Sequence, residues 1–353
     1  MLPRFTRRLL AIHIAAALCL LAAPAFAEPI QWVTVGDPGN TAATTGSPNP
    51  AGAVANSFQI MKFEFTNQQY TDFLNSVDAN GINPNSVYNA DMGSDGRGGI
   101  SFSSGAAAGS KYTIKTNMGD KPAIYVNWFD AARVSNWLMN GATGTSSMET
   151  GAYTLNNATS GNAPAINSGA TFYIPTENQW YKAAYYKGGS TNAGYWDYAT
   201  QSDSAPTYVT AGSTGIGSSG STGNFANYYG TASWNGQTGG NVTTVGTNGG
   251  ASAYGAFDMS GNVWEWNDLT GAAGSSRGLR AGNWYGLNPL SLSSSNDFSF
   301  DLSFEYSTIG FRLAAPAAVP EPSTCAMALA GLSCGGWQMW RRRRLRQAAS
   351  LAA

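Results

Sequence analysis

Between Glu28 and Val319 the chain has no cysteine and no histidine. Its one histidine, His13, and its three cysteines, Cys19, Cys325 and Cys334, all fall in apolar segments near the two ends. Thiolates and imidazoles are the usual soft-metal ligands and nucleophile–base partners. Their absence removes most metal-redox chemistry, Cys–His catalysis and the Ser–His–Asp triad from the body of the chain. It also removes disulfides. Charge is scarce, at 11% of all residues. Arg4, Arg7, Arg8, Arg341 to Arg344 and Arg346 account for eight of the 19 basic residues, which leaves 11 in the body against 19 acidic ones. A body carrying about eight net negative charges and no basic stripe is a poor partner for nucleic acid or an anionic membrane surface. It suits solubility and the binding of hard cations.

What the chain has instead is glycine, 43 of 353 residues against a usual ~7%, together with 11 Trp and 17 Tyr. That combination predicts an aromatic core joined by many irregular loops. The N-terminus reads as a secretory signal peptide over 1–27: Arg4, Arg7 and Arg8, an apolar run from Leu9 to Leu21, and an Ala25-Phe26-Ala27 cleavage site. Residues 316–353 read as a tail in three parts. They are Pro320-Glu321-Pro322, a short apolar span over 325–340, and the arginine cluster that would hold its end on the cytoplasmic side.

Within 28–315, Phe58–Phe65 alternates as a strand does, and Thr66 can cap a helix carrying Tyr70, Phe73, Leu74 and Val77 on one face. Pro122–Val126 and Thr171–Ile174 are short strand candidates. Asn127, with Asp130 in the first turn, and Thr176 with Gln179 are further helix starts, the last helix stopping at Gly188-Gly189. Asn80–Ser110 and Gln201–Ala253 read as long loops, the latter ordered by Phe225, Tyr228, Tyr229 and Trp234. Strands follow at Val263–Trp266, Leu279–Trp284 and Ile309–Leu313.

Six segments in order then carry a resemblance: Phe58–Tyr70, Pro122–Trp137, Ile174–Trp180, Asp258-Met-Ser-Gly-Asn-Val-Trp-Glu-Trp266, Leu279-Arg-Ala-Gly-Asn-Trp284 and Gly310-Phe-Arg-Leu313. The series resembles the sulfatase-modifying-factor domain of the formylglycine-generating-enzyme family. The resemblance implies an α+β fold: one formylglycine-generating-enzyme-like, C-type-lectin-like domain with little regular secondary structure and long loops. In active members two cysteines bind copper and activate oxygen. Here Gly286 and Ser291 stand at their positions, so the resemblance implies neither copper nor formylglycine formation. Family calcium positions match Asp258, Gly261, Val263 and Glu265, where two carboxylates and two backbone carbonyls fall within eight residues. A second set maps onto Asn227 and the Tyr228 carbonyl. The former catalytic groove would be lined by Asn283, Trp284, Tyr285, Gly286 and Ser291, with Asn296 and Asp297. The tail resembles the PEP-CTERM sorting signal, which implies an exosortase-type protease as partner, a transient stay in the inner membrane, and release to the cell surface or matrix.

These observations lead to the expectation of an exported, non-catalytic binding or structural module with structural calcium and no copper, its partner an extracellular polysaccharide or another exported protein. The alternatives are an enzyme of the same family acting by unrecognised chemistry or beside an active paralogue, and a matrix component with no discrete ligand.

Overall fold

The computed structural model describes residues 29–269, 273–274 and 276–317. The signal-peptide and sorting-tail readings lie outside the described residues. The elements in order are β1 (Trp32–Val35), β2 (Phe58–Met61), α1 (Asn67–Val77), α2 (Asp91–Ser94), β3 (Ile100–Phe102), β4 (Tyr112–Ile114), α3 (Trp128–Met139) and α4 (Glu177–Tyr185). They continue with β5 (Thr207–Tyr208), β6 (Phe225–Ala226), β7 (Trp264–Asn267), β8 (Ser276–Arg280), β9 (Phe298–Asp301), β10 (Ile309–Gly310) and β11 (Ala314–Pro316). This is an α+β fold of few helices, small sheets and long loops.

The three long helices start where the sequence offers a side chain for the orphan N–H groups of a first turn. Thr66 with Gln69, Asn127 with Asp130, and Thr176 with Gln179 each form a reciprocal capping box. α3 is buried almost all round, with Trp128, Phe129, Ala131, Ala132, Val134, Trp137 and Leu138 in the core. α4 ends at Tyr185, with Tyr186 as its C-cap, before the Gly188-Gly189 stop that the sequence offers.

Two sheets frame the core. One has the order β1-β2-β11, with β2 antiparallel to both neighbours. The other has the order β10-β7-β8-β9, with β10 parallel to β7. The last strands thus return to the first: Ala314 pairs with Ile60 while Ile309 pairs with Trp264. Trp128, Trp180 and Trp266 are fully buried between the sheets and helices.

Some expected strands are absent or shorter. Pro122–Val126 makes only an isolated bridge from Pro122 to Thr66, and Thr171–Ile174 only a bridge from Tyr173 to Ala314. Pro122 lacks the ladder donor, and both segments run at once into the helix caps that follow them, Asn127 and Thr176. The 80–110 stretch, expected as loop, holds α2 and the hairpin partner β3. Within 201–253 the two-residue strands β5 and β6 pair in parallel, and backbone bonds such as Gly249 N–H to Gly220 O at 2.9 Å and Val245 N–H to Asp120 O at 3.0 Å fasten the loop down.

The Asn127 side chain caps α3 and also donates through Nδ2 to Glu305 at 2.6 Å. Asn127→Ala is expected to lower unfolding free energy by about 1–2 kcal/mol in a urea titration; an unchanged midpoint would mean that the cap contributes nothing.

Candidate functional site

The loop after β8 carries the residues expected to line the groove. Ala281 and Gly282 both have positive φ, 86° and 72°. The positive φ of Gly282 favours glycine, and a Cβ there would also lie 3.1 Å from Ser291 O. The turn brings 286 beside 291: a Cβ on Gly286 would lie 3.1 Å from Ser291 Oγ. The two positions where the resemblance calls for cysteines are therefore neighbours, although neither carries sulfur. Ser291 Oγ donates to Asn288 O at 2.8 Å.

The other predicted lining residues divide. Trp284 is only 4% exposed and sits among Met118, Ile124, Trp234, Val242 and Val263. Its indole N–H donates to Ser307 O at 2.9 Å, and the Arg97 guanidinium lies 4.8 Å from its ring centroid. Trp284 is core and offers no free ring face, contrary to its expected place in the groove. Asn283 is buried and uses its Oδ1 to accept the Tyr285 N–H at 2.8 Å. Asn296 donates to Ser291 O at 3.2 Å and accepts from Arg280 at 2.6 Å through its carbonyl; Asp297 accepts from Ser47 Oγ at 2.6 Å. Both shape the wall next to Ser291.

Tyr285 is the exposed ring, at 56%. It has company that the sequence did not assign to the groove. The Tyr229 N–H donates to Gly286 O at 2.9 Å and the Gly230 N–H to Trp284 O at 2.8 Å, which lays the 228–230 segment along the turn. Tyr229 stacks on Tyr208, with centroids 5.7 Å apart and planes 16° from parallel, and both are about half exposed. Behind this surface Arg280 reaches in from β8. It is buried, pairs with Glu177 at the start of α4, and donates to the carbonyls of Ser47, Ser294 and Asn296.

The residues matched to calcium also divide. A calcium ion needs six to eight oxygens at 2.3–2.6 Å. Glu265 does not fit that role: Oε2 accepts from Arg312 Nε at 2.6 Å and from the Trp180 indole at 2.8 Å, and Oε1 accepts from Arg312 Nη2 at 2.6 Å. Asp258 is buried at a turn with φ 56°, and its two oxygens accept from the Gly246 N–H and from Asn248 Nδ2. Burial pushes its carboxyl up, against the pull of those two hydrogen bonds. Gly261 has φ 86°, and a Cβ there would lie 2.4 Å from Asn227 O, so glycine permits the bridge to Asn227; Val263 packs in the core. Asn227 does fit. Its Nδ2 is held by Asn241 O, Thr243 Oγ1 and Asn262 Oδ1, each at 3.0 Å, while its buried Oδ1 has no partner. The Tyr228 carbonyl next to it takes a single long bond from Thr231 Oγ1, 3.2 Å. The buried amides and hydroxyls of Asn241, Thr243, Asn248 and Asn262 were not singled out from the sequence. Asn and Thr in a glycine-rich run look like loop filler until the loop folds back.

The sequence profile of the sulfatase-modifying factor enzyme 1-like domain matches residues 29–317. Among solved structures, the chain is similar to CarF at 21% identity, covering 82% of this chain and 98% of that one with a TM-score of 0.46. It is similar to variable protein 1 of Treponema denticola at 18% identity, 81% and 95% coverage and a TM-score of 0.45. It is also similar to PvdO from Pseudomonas aeruginosa at 18%, 82% and 92%, with a TM-score of 0.39. No curated protein matches the chain.

The 286–291 geometry has a direct test. Gly286→Cys with Ser291→Cys is expected to raise Cu(I) uptake by one equivalent per chain over the parent, read by competition with a chromogenic chelator, and each single variant to raise it weakly or not at all. A folded double variant with parental uptake would mean the two positions do not face each other.

Proposed function

The chain belongs to the sulfatase-modifying factor enzyme 1-like family, and on that premise we propose that it is a non-catalytic binding module of the cell surface or extracellular matrix. The observation that carries this reading is the turn itself. The positions for two metal-binding thiols lie side by side but hold Gly286 and Ser291. The rim beside them presents exposed tyrosine rings, Tyr285, Tyr229 and Tyr208. Ring faces next to amide and hydroxyl groups suit a sugar, whose apolar face stacks while its hydroxyls are oriented by polar atoms. The ligand class is therefore an extracellular polysaccharide, with an exported protein as the other candidate. Export through the signal peptide over 1–27, a transient inner-membrane stay through 325–340, and release by an exosortase-type protease at Pro320-Glu321-Pro322 belong to the same proposal and rest on the sequence of the two ends.

Calcium enters as a structural ion only. Asn227 Oδ1 and the Tyr228 carbonyl are its best-fitting donors, with Asp258 nearby in the same hydrogen-bonded network through Asn248 and Thr243. Glu265 is left to Arg312.

The test is co-sedimentation of the purified chain with the host's extracellular polysaccharide, in calcium or in chelator. Binding is expected to saturate, and Tyr285→Ala and Tyr229→Ala to weaken it roughly two- to tenfold each, on the scale of 0.5–1.5 kcal/mol per aromatic contact. Calcium at a hundredfold excess over its Kd would add about 2.7 kcal/mol, or roughly 5 °C in Tm, lost on chelation. No sedimentation by a folded, calcium-loaded chain sinks the polysaccharide reading. Copper-dependent oxygen uptake with a cysteine-containing peptide would favour an enzyme instead.

A further inference from the structure

The charges around the tyrosine rim are all of one sign. The body holds 11 basic residues, and none of them is exposed. Lys121, Arg133, Lys182, Arg277, Arg280 and Arg312 are buried. The other five are half-buried, and their charged heads are committed to carbonyls and rings. Lys111 donates to Ser104 O and Ala106 O at 2.7 and 2.6 Å, and Lys115 to Gly93 O and Asp95 O at 3.1 and 2.6 Å. Arg97 donates to Gly240 O and Thr238 O, both at 3.1 Å. Lys62 lies over the Phe63 and Phe257 rings, and Lys187 lies 4.1 Å from the Trp196 centroid.

Carboxylates are distributed the other way. Asp91, Asp197, Asp203, Asp297 and Asp301 are exposed. Three of them stand along the wall that carries Ser291. The carbonyl of Asp197 accepts the Ser294 N–H at 2.8 Å, and the Asp197 N–H donates to Asp203 Oδ1 at 3.1 Å, which sets Asp203 beside Asp197. Asp297 follows Asn296, whose amide donates to Ser291 O at 3.2 Å. Tyr198, next to Asp197, packs with Tyr228 and Leu292. Tyr228 in turn meets Tyr208 and Tyr229, with centroids 6.3 and 6.2 Å away. One packed unit therefore carries both the exposed rings and these carboxylates.

Little positive charge answers them. Lys187 Nζ stands 4.0 Å from Asp203 Oδ2, and Arg280 behind the wall is buried and paired with Glu177. Asp297 gives one oxygen to Ser47 Oγ at 2.6 Å. The Asp197 carboxylate is exposed and has no hydrogen bond or ion pair among the described residues. A surface whose charges share one sign attracts ligands of the other sign and repels its own.

We propose that the ligand of the tyrosine rim is a basic polysaccharide, a polymer of amino sugars with free ammonium groups, and that Asp197, Asp203 and Asp297 select it. This rests on the reading of the rim as a polysaccharide site and names the class of polymer. The rings take the apolar faces of the sugars, and the carboxylates take the amines. An acidic polymer, of uronate or sulfated sugars, would need exposed cations, and the body offers none. Each exposed ion pair is weak and screened by salt, so the selection comes from several pairs made along one chain.

The experiment measures binding of the full chain to three oligosaccharides of matched length: chitosan, its fully N-acetylated counterpart, and alginate. It runs at mildly acidic pH, where the chitosan amines carry their charge. Chitosan is expected to bind on the order of tenfold more tightly than the neutral polymer, to weaken as salt is raised, and alginate to show no binding. Asp197→Asn and Asp297→Asn are expected to weaken chitosan binding about two- to fivefold each, with the neutral polymer unaffected. Asp91→Asn, outside the wall, should change nothing, and Tyr285→Ala should weaken both sugars. In a folded Asp197→Lys/Asp297→Lys variant the preference should reverse toward alginate. Alginate binding as tight as chitosan, with or without calcium, overturns the proposal and leaves the polysaccharide reading standing, as does equal binding of chitosan and its acetylated form. Chitosan binding that ignores Tyr285→Ala, or that Asp91→Asn weakens as much as Asp197→Asn does, overturns it as attraction to the whole acidic body. No binding of any of the three overturns both.

Discussion

The Arg312–Glu265 pair is the contact on which the rest of the fold depends. Glu265 lies on β7 and Arg312 just after β10, and both are completely buried. The guanidinium makes two bonds to the carboxylate and spends its remaining donors on the carbonyls of Met61 and Phe257; the carboxylate also takes the Trp180 indole from α4. One ion pair therefore ties both sheets, a helix and a long loop together. Arg is suited to this because its planar donors can satisfy several acceptors at once. Arg280 with Glu177, and Arg277 with Asp268 at 2.7 Å, repeat the device on β8. The body has no cysteine, so the cross-links between its distant segments are these buried pairs and the core packing rather than disulfides.

Such pairs cost desolvation and are weak evidence of net stability against an apolar alternative. Their effect here is on geometry. Arg280 holds Asn296, Ser294 and Ser47 by their carbonyls, which fixes the wall of the turn carrying Gly286, Ser291 and Tyr285. The contacts of Arg280 that shape the turn do not involve the side chains at 286 and 291.

Much of this was legible in the sequence because it is written in local patterns. Thr66, Asn127 and Thr176 announce their helices by capping chemistry, and the ordered motifs from Phe58 to Leu313 announce the fold. The failures are all matters of long-range partnership. Trp284 beside Tyr285 reads the same whether its ring faces solvent or the core, and only the Trp234 and Val242 loop decides. Glu265 reads as a carboxylate without a partner because Arg312 is 47 residues away. Tyr208 and Tyr229 sit in a glycine-rich run whose path no periodicity reveals. Pro122–Val126 looks like a strand by composition, but it meets the chain only at Phe65 and Thr66 before the Asn127 cap begins.

The measurement that bears most directly on this account is a double-mutant cycle on the buried pair, with unfolding free energies for Glu265→Gln, Arg312→Met and the two combined. Each single change strands a buried charge and is expected to cost about 3–5 kcal/mol, with the double variant losing clearly less than the sum. Single effects below about 1 kcal/mol that simply add would contradict it, and would mean that the aromatic core alone holds the sheets together.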